Sequence, residues 1–274
     1  MLQSGDALRP EMMRIVLIGA GNLATHLGTA LRQAGHEVLQ VFSRTQESAD
    51  VLATRVGSEA VTDIDRLRTD ADIYICALKD AVLPQLLPQI CKGREDGVFL
   101  HTAGSLPMSV FEGYVRHYGV LYPMQTFSKK REVDFSIIPC FVEANSDATL
   151  ATITTLARGI STNVRCLSSE QRKYLHLSAV FACNFVNHCY DMAGTLLDKH
   201  GLSFDVLLPL IDETAKKVHS LMPREAQTGP AVRYDENVIN AQQRLLADLP
   251  HMQEIYELMS KSIHERATEV TSEK

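Results

Sequence analysis

The feature that most constrains the fold of this chain is a glycine-rich turn directly after its first apolar run. The run Arg14–Ile18 (Arg-Ile-Val-Leu-Ile) is typical of a buried strand, and residues 19–24 read Gly-Ala-Gly-Asn-Leu-Ala. A helical pattern of apolar residues follows, through Leu23, Leu27 and Leu31. A Gly-x-Gly-x-x-Ala turn between a strand and a helix is the arrangement that binds the pyrophosphate of a dinucleotide.

Each small residue of this turn has a separate task in such a site. Gly19 makes the tight turn, Gly21 lets the backbone approach a phosphate, and Ala24 lets the helix pack closely on the strand. The N–H groups of Asn22 and Leu23 lie at the helix N-terminus, where the positive end of the helix dipole favours an anion. Gly19, Gly21, Asn22 and Leu23 are therefore predicted to bind a nucleotide cofactor, and an ordinary strand–helix turn is the alternative.

The end of the second predicted strand indicates which dinucleotide fits. A site for NAD usually carries Asp or Glu here, which binds the hydroxyls of the adenosine ribose. In this chain the strand Glu37–Phe42 is followed by Ser43, Arg44 and Thr45, with no acid among the three. A guanidinium and two hydroxyls suit the 2′-phosphate of NADP. NADP(H) is thus the predicted cofactor, and an Arg44 that only meets solvent is the alternative.

The rest of the first half repeats the alternation of short apolar runs and amphipathic stretches. Further strands are predicted at residues 71–77, 97–101, 118–122, 141–144 and 163–167. Strands that alternate with helices form a parallel sheet covered on both faces. Asp80 is expected to cap one of the helices, and Ser168 or Ser169 the first helix of the second half.

After residue 167 only helical patterns remain. The predicted fold class is therefore an α/β Rossmann-like NAD(P)-binding domain followed by an all-α C-terminal domain. The predicted boundaries are 1–12 for a loose N-terminal extension, 13–167 for the nucleotide-binding domain and 168–274 for a helical substrate and dimerisation domain.

Ligands of an open parallel sheet lie beyond the carboxyl ends of its strands. Leu78 and Lys79 follow one predicted strand and are expected to face the cofactor. His101 and Thr102 end the next strand, and Gln125 follows the one after, so these three are predicted to bind substrate. A histidine with a purely structural role is the alternative for His101.

The segment from residue 173 to 198 is apolar around most of its helical circumference, which predicts burial in a core or a subunit interface. At about 100° per residue, its polar side chains fall within roughly 80° of one another; they are Lys173, His176, Asn184, Asn187 and Asp191. Polar groups on a buried helix need partners, and a substrate is one. Lys173, His176 and Asn184 are the predicted catalytic residues: Lys173 or His176 would protonate the substrate while Asn184 holds it, and Asn187 is predicted to bind substrate. A solvent-facing stripe and an internal polar network are the alternatives.

Composition argues against several partners. The 274 residues carry 27 Lys and Arg against 33 Asp and Glu, a formal charge of −6, so nucleic acid is not expected to bind. No apolar run approaches the roughly 18 residues of a membrane span, and residues 1–12 lack the apolar region of a signal peptide. Six cysteines without a Cys-x-x-Cys pair predict reduced thiols in the cytoplasm. His-Glu-x-x-His is absent as well, so a metal site is not expected.

Several segments together resemble a known superfamily. Residues 16–24, residues 43–45 and the helical second half resemble the pyrroline-carboxylate reductase and 3-hydroxyacid dehydrogenase superfamily. Residues 122–128 (Tyr-Pro-Met-Gln-Thr-Phe-Ser), 175–184 and 228–230 are similar to its branch of NADP oxidoreductases of the deazaflavin-dependent type. The resemblance implies a Rossmann-like domain, NADP and a helical domain that dimerises, but it implies no substrate.

Two positions depart from the pattern of that branch. Tyr122 stands where a histidine often precedes the proline, and Arg233-Tyr-Asp235 stands where Arg-Gly-Asp often follows Thr-Gly-Pro. Roles of the family at these two places are therefore not transferred to this chain.

Taken together, the sequence predicts an NADP-dependent oxidoreductase that forms a homodimer through its helical domain. A hydride would pass between the nicotinamide and a small carbonyl or imine compound in a cleft between the domains. A non-catalytic NADP-binding sensor or scaffold is the alternative.

Overall fold

The computed structural model describes residues 12–272. The chain divides into two compact units, Met1–Cys183 and Asn184–Lys274. The extension predicted for residues 1–12 lies outside the described residues, except for Met12.

The first unit contains an eight-stranded sheet in the order β3-β2-β1-β4-β5-β6-β7-β8. The strands are β1 Arg14–Ile18, β2 Glu37–Phe42, β3 Glu59–Val61, β4 Ile73–Cys76, β5 Val98–His101, β6 His117–Pro123, β7 Cys140–Ala144 and β8 Val164–Cys166. All neighbouring strands are parallel except β6 and β7, which are antiparallel. The predicted α/β Rossmann-like fold is confirmed, although the sequence did not locate the short strand β3.

Helices cover both faces of this sheet. They are α1 Asn22–Gln33, α2 Gln46–Val56, α3 Leu83–Ile90, α4 Asp147–Ile160 and α5 Ser169–Ala179, with 3₁₀ turns at Ile64–Arg66, Met108–Phe111 and Phe135–Ile137. Side chains of a strand alternate between the two faces. Ile15 and Leu17 accordingly pack in one apolar cluster with α1, α2 and α4, whereas Val16 and Ile18 pack in a second cluster with α3.

The two predicted helix caps have different outcomes. Ser168 caps α5 and forms a capping box with Gln171, as expected. Asp80 does not cap a helix, because α3 begins only at Leu83, with Val82 in the capping position. The Asp80 carboxylate accepts a hydrogen bond from the Ser105 hydroxyl instead.

The boundary between the compact units lies after Cys183, whereas the sequence placed the domain boundary at residue 167. The helix α5 belongs to the sheet unit because Arg172 on α5 pairs with Glu143 on β7. A π-helical segment, Val180–Phe185, follows α5 and contains the boundary.

The second unit contains helices and connecting turns, and no strand among its described residues. Its helices are α6 Val186–Lys199, α7 Leu208–Lys217, α8 Pro223–Ala226, α9 Pro230–Arg233, α10 Glu236–Leu245 and α11 Pro250–Ser272, with a 3₁₀ turn at Phe204–Leu207. Asp235 caps α10, and Tyr234 ends α9 with a positive φ of 52°, so both residues act in the helix connection. Within 12–272 no helix is long and apolar enough to cross a membrane.

The apolar helix 173–198 is not buried in a core of the single chain. None of residues 180–199 is buried, and 66% of Tyr174 and 51% of Leu177 are exposed. The core interpretation is therefore wrong for the isolated chain, and the subunit-interface interpretation stays a prediction.

Candidate functional site

The glycine-rich turn is held against the end of β4. Gly19 has a φ of +120°, which a residue with a side chain rarely adopts. Its N–H donates to the Phe42 carbonyl at 2.8 Å, and a Cβ on Gly19 would collide with the Ala77 carbonyl oxygen. Gly19 is thus required by the backbone itself.

Gly21 is different, because no neighbouring protein atom requires a glycine at this position. It precedes α1 with an ordinary φ of −78°, and a Cβ on Gly21 would meet nothing within 4 Å. No side chain caps α1, so the N–H groups of its first turn remain open to an anion. Glycine at an exposed helix start with free N–H groups fits the close approach of a pyrophosphate.

The rest of α1 is fitted to the sheet. Ala24 is fully buried, and a Cβ on Gly28 would lie 2.8 Å from Cδ1 of Leu17. The Asn22 side chain donates to the Phe127 carbonyl at 3.0 Å. This bond ties the start of α1 to the loop after β6.

The segment after β2 is exposed at its centre. Ser43 donates its N–H to the Val61 carbonyl at 3.0 Å, and the Thr45 hydroxyl donates to Ser48 Oγ at 2.9 Å. Arg44 is exposed and forms no ion pair with any residue between 12 and 272. Its guanidinium is therefore available to an anionic ligand.

The carboxyl ends of β4, β5 and β6 lie side by side. In the parallel ladders Cys76 pairs with His101, and His101 pairs with Val120. Leu78, just beyond β4, lies next to Gly19, since its Cδ2 would be 3.4 Å from a Cβ there. Lys79 is exposed. Leu78 therefore lies beside the glycine-rich turn, as its predicted role requires.

His176 on α5 packs directly on the end of β5. A Cβ on Gly104 would lie 2.5 Å from Cγ and Nδ1 of the His176 ring, so only glycine fits there. The Tyr122 hydroxyl at the end of β6 lies 3.0 Å from His176 Nδ1. Burial raises the pKa of Tyr122, and the nearby charge of Arg172 opposes this increase. A buried tyrosine and a half-buried histidine are thus paired at the carboxyl edge of the sheet.

The buried Arg172 anchors the helix that carries His176. Its side chain is 1% exposed, and its Nη1 donates to Glu143 Oε2 at 2.6 Å. Arg172 also donates to the Leu106 carbonyl, and the Ser169 hydroxyl donates to Glu143 at 2.6 Å. Burial raises the pKa of Glu143, but the hydrogen bonds from Ser169 and Arg172 outweigh burial and lower it.

His101 and Thr102 are buried below this edge. The N–H of Ala103 donates to His101 Nδ1 at 3.2 Å, and the ring lies against Phe111. Burial, aided by the charge of Arg172, lowers the pKa of His101 to about 4, so the ring is neutral at pH 7. Its Nε2 is buried without a hydrogen-bond partner in the described chain.

Four of the predicted catalytic and substrate-binding residues are exposed. Gln125 and Lys173 belong to the first unit, whereas Asn184 and Asn187 belong to the second. The polar stripe assumed a regular α-helix, and the π segment Val180–Phe185 breaks that count. The predicted roles of Lys173, His176, Asn184 and Asn187 stay predictions.

The sequence did not single out Asp80, Gly104 and Tyr122 as functional, and it pointed to Ser105 only as one of the hydroxyl-bearing residues after β5. The signal for Asp80 and Ser105 is their position, because each follows the last residue of its strand by four residues. Among the described residues, no group of three or more His, Cys, Asp or Glu could hold a metal ion.

Comparison with known proteins agrees with the geometry of this turn. Residues 14–100 match the family described as NADP oxidoreductase coenzyme F420-dependent, and residues 138–263 match a domain of unknown function. A crystallised "putative NADP oxidoreductase" from Bacteroides fragilis is 57% identical, with a TM-score of 0.90 over 93% of this chain and 99% of that chain. This protein belongs to the NADP oxidoreductase family. The family and cofactor predicted from the sequence are thereby confirmed.

More distant proteins share the fold alone. An imine reductase from Myxococcus stipitatus, crystallised with NADP+, is 13% identical, with a TM-score of 0.65 over 94% of each chain. A pyrroline-5-carboxylate reductase from Coxiella burnetii is 16% identical, with a TM-score of 0.55 over 94% of this chain and 98% of that chain. A search of curated proteins gave no match.

Proposed function

We propose that this NADP oxidoreductase family member transfers a hydride between NADP(H) and a small carbonyl or imine compound. The observation that supports it most directly is Gly21, which stands at the uncapped start of α1 where a side chain would meet no protein atom. The distant imine and pyrroline-carboxylate reductases share the fold and suggest the substrate range.

In this proposal Gly19, Gly21, Asn22 and Leu23 bind the pyrophosphate through the N-terminus of α1. Ser43, Arg44 and Thr45 bind the 2′-phosphate, where an exposed guanidinium without an ion pair to any residue between 12 and 272 supplies the charge. Leu78 and Lys79 contact the nicotinamide half of the NADP(H) molecule. When bound, NADPH supplies the hydride and NADP+ accepts it.

His176 is the proposed proton donor to the substrate. Because the pKa of Tyr122 is raised, its phenol keeps its proton and can donate it in a hydrogen bond to His176 Nδ1. That bond leaves the second ring nitrogen, Nε2, as the protonated one that faces a ligand. Gly104 fixes the ring position, and Arg172 fixes the helix that carries it. Further contacts to the substrate are proposed for Lys173, Asn184, Thr102, Gln125, Asn187 and His101.

The nucleotide part is tested by fluorescence titration with NADPH and by competition with NADH. We expect wild type to prefer NADPH and Arg44→Ala to lose at least tenfold in NADPH affinity, as expected for one charged hydrogen-bonded contact. Arg158→Ala, an exposed arginine in the last turn of α4, is the matched control and should bind as wild type does. If neither nucleotide binds, the proposal fails.

The chemical part is tested by NADPH consumption with small ketones, aldehydes and cyclic imines. His176→Asn should lower turnover by about 10²-fold or more, without a change in NADPH affinity. His188→Asn, an exposed histidine on α6, is the control. NADPH binding without turnover of either substrate class would instead favour the sensor or scaffold function.

A homodimer is proposed as well. On α5, Tyr174 and Leu177 are large apolar side chains that are mostly exposed in the single chain, and a second copy would cover them. Analytical ultracentrifugation of wild type and Leu177→Asp tests this, since the substitution should shift the protein to monomers. The cytoplasmic location expected from the sequence stays a prediction.

A further inference from the structure

The carboxyl edge of the sheet holds a carboxylate that forms no ion pair with a cation of the described chain. Asp80, four residues beyond β4, is partly buried and accepts a hydrogen bond from the Ser105 hydroxyl. It forms no ion pair with any residue between 12 and 272. A carboxylate that is partly removed from water loses part of its hydration, and a cationic ligand can offset that loss.

Asp80 lies on the same side of the sheet as the His176 pair. Cys76 and His101 are partners in the β4–β5 ladder, so the segments that follow them leave the sheet together. Ser105 is the neighbour of Gly104, on which the ring of His176 packs. The charge of Asp80 also raises the pKa of Tyr122, in addition to the larger effect of burial. The Asp80–Ser105 pair and the Tyr122–His176 pair therefore flank Gly104 on the carboxyl edge.

We infer that Asp80, oriented by Ser105, is the specificity-determining residue of this site and selects a substrate with a cationic nitrogen, an iminium ion or an amine. The inference rests on the proposed oxidoreductase function and narrows its substrate class. A carboxylate attracts an iminium ion, gives a neutral ketone no comparable gain, and repels a substrate carboxylate.

The reaction balances for such a substrate. The imine nitrogen takes a proton, either from water or from Nε2 of His176 while Nδ1 takes the Tyr122 proton, and becomes an iminium ion next to Asp80. The hydride electron pair, supplied by NADPH as it is oxidised to NADP+, forms the new C–H bond, and the π pair of the C=N bond becomes the lone pair of the amine. Asp80 stabilises the positive charge before the transfer and releases a neutral amine after it.

The test compares the binding of two five-membered rings, pyrrolidine in its protonated form and cyclopentanone, by calorimetry on protein saturated with NADP+. In wild type we expect pyrrolidinium to bind about tenfold more tightly than cyclopentanone, the size of one charge-assisted contact. Asp80→Asn should bring this ratio close to one, and Ser105→Ala should lower it in part. Asp96→Asn is the matched control, since Asp96 is an exposed carboxylate ahead of β5 that pairs with Arg116.

Equal affinity for the two rings in wild type would overturn the inference. So would an Asp80→Asn variant that keeps the preference, or one that loses NADP+ affinity instead, because Asp80 would then contact the cofactor. Turnover of ketones without a preference for pyrrolidinium would retain the proposed function and reject this inference. A preference for pyrrolidinium without any turnover would support the role of Asp80 and reject the proposed oxidoreductase function.

Discussion

The titration of His101 provides a quantitative test of its burial at the carboxyl edge of the sheet. Its pKa is lowered from 6.5 to about 4, first by burial and then by the charge of Arg172. In the unfolded chain the ring titrates near 6.5, so between pH 6.5 and 4 the unfolded state binds more protons than the folded state. The free energy of unfolding must therefore fall as the pH is lowered through this range. The loss from this one residue is about 2 kcal/mol at pH 5 and roughly 3 kcal/mol below pH 4.

The assay is urea denaturation followed by circular dichroism, at pH 7.5 and at pH 5. His101→Asn keeps an acceptor for the N–H of Ala103 but removes the titratable ring, so it should show a smaller loss of stability between the two pH values. His117→Asn, at an exposed position of β6, is the control and should follow wild type. Equal losses of the free energy of unfolding in wild type and His101→Asn between pH 7.5 and pH 5 would refute the lowered pKa of His101.

Three further substitutions separate packing from ligand binding. Gly28→Ala places a methyl group 2.8 Å from Leu17 Cδ1 and should cost about 1–3 kcal/mol in urea denaturation; an unchanged midpoint would contradict the close packing of α1. Gly21→Ala should leave stability intact but weaken NADPH binding by about tenfold or more in a fluorescence titration, since its Cβ meets no protein atom. Unchanged affinity would exclude a close phosphate at this position. Arg172→Met leaves Glu143 without its buried partner and should cost about 3–5 kcal/mol, whereas a cost below about 1 kcal/mol would mean that the pair behaves as a surface ion pair.

The turn after β1 could be predicted from sequence because its causes are local. The strand β1, the glycine-rich turn and the helix α1 follow one another within twenty residues of the chain. The positive φ of Gly19 is a requirement of the backbone at that turn. The strands β4 and β5 were predictable for the same reason, since apolar runs buried on both faces need no knowledge of their neighbours. The three-residue β3 is too short to carry such a pattern.

The pairing of side chains at the edge could not be predicted in this way. Tyr122 and His176 are separated by 54 residues, and only the order of the strands brings them together. The pair of Asp80 and Ser105 likewise depends on β4 and β5 being neighbours. The sequence identified His176 from a polar stripe that assumed one regular α-helix from residue 173 to 198. The π segment interrupts that helix after α5, so the stripe is valid only for the residues on α5, which include His176.

The exposure of the segment 43–45 has an evolutionary consequence. None of its side chains belongs to the two large apolar clusters, and the Arg44 guanidinium forms no ion pair with any residue between 12 and 272. Substitutions at such surface positions are nearly neutral for folding. A lineage can therefore exchange one proposed nucleotide preference for another in a few mutational steps without passing through a chain that fails to fold. The turn at Gly19 has no such freedom, because the Ala77 carbonyl blocks every other residue there.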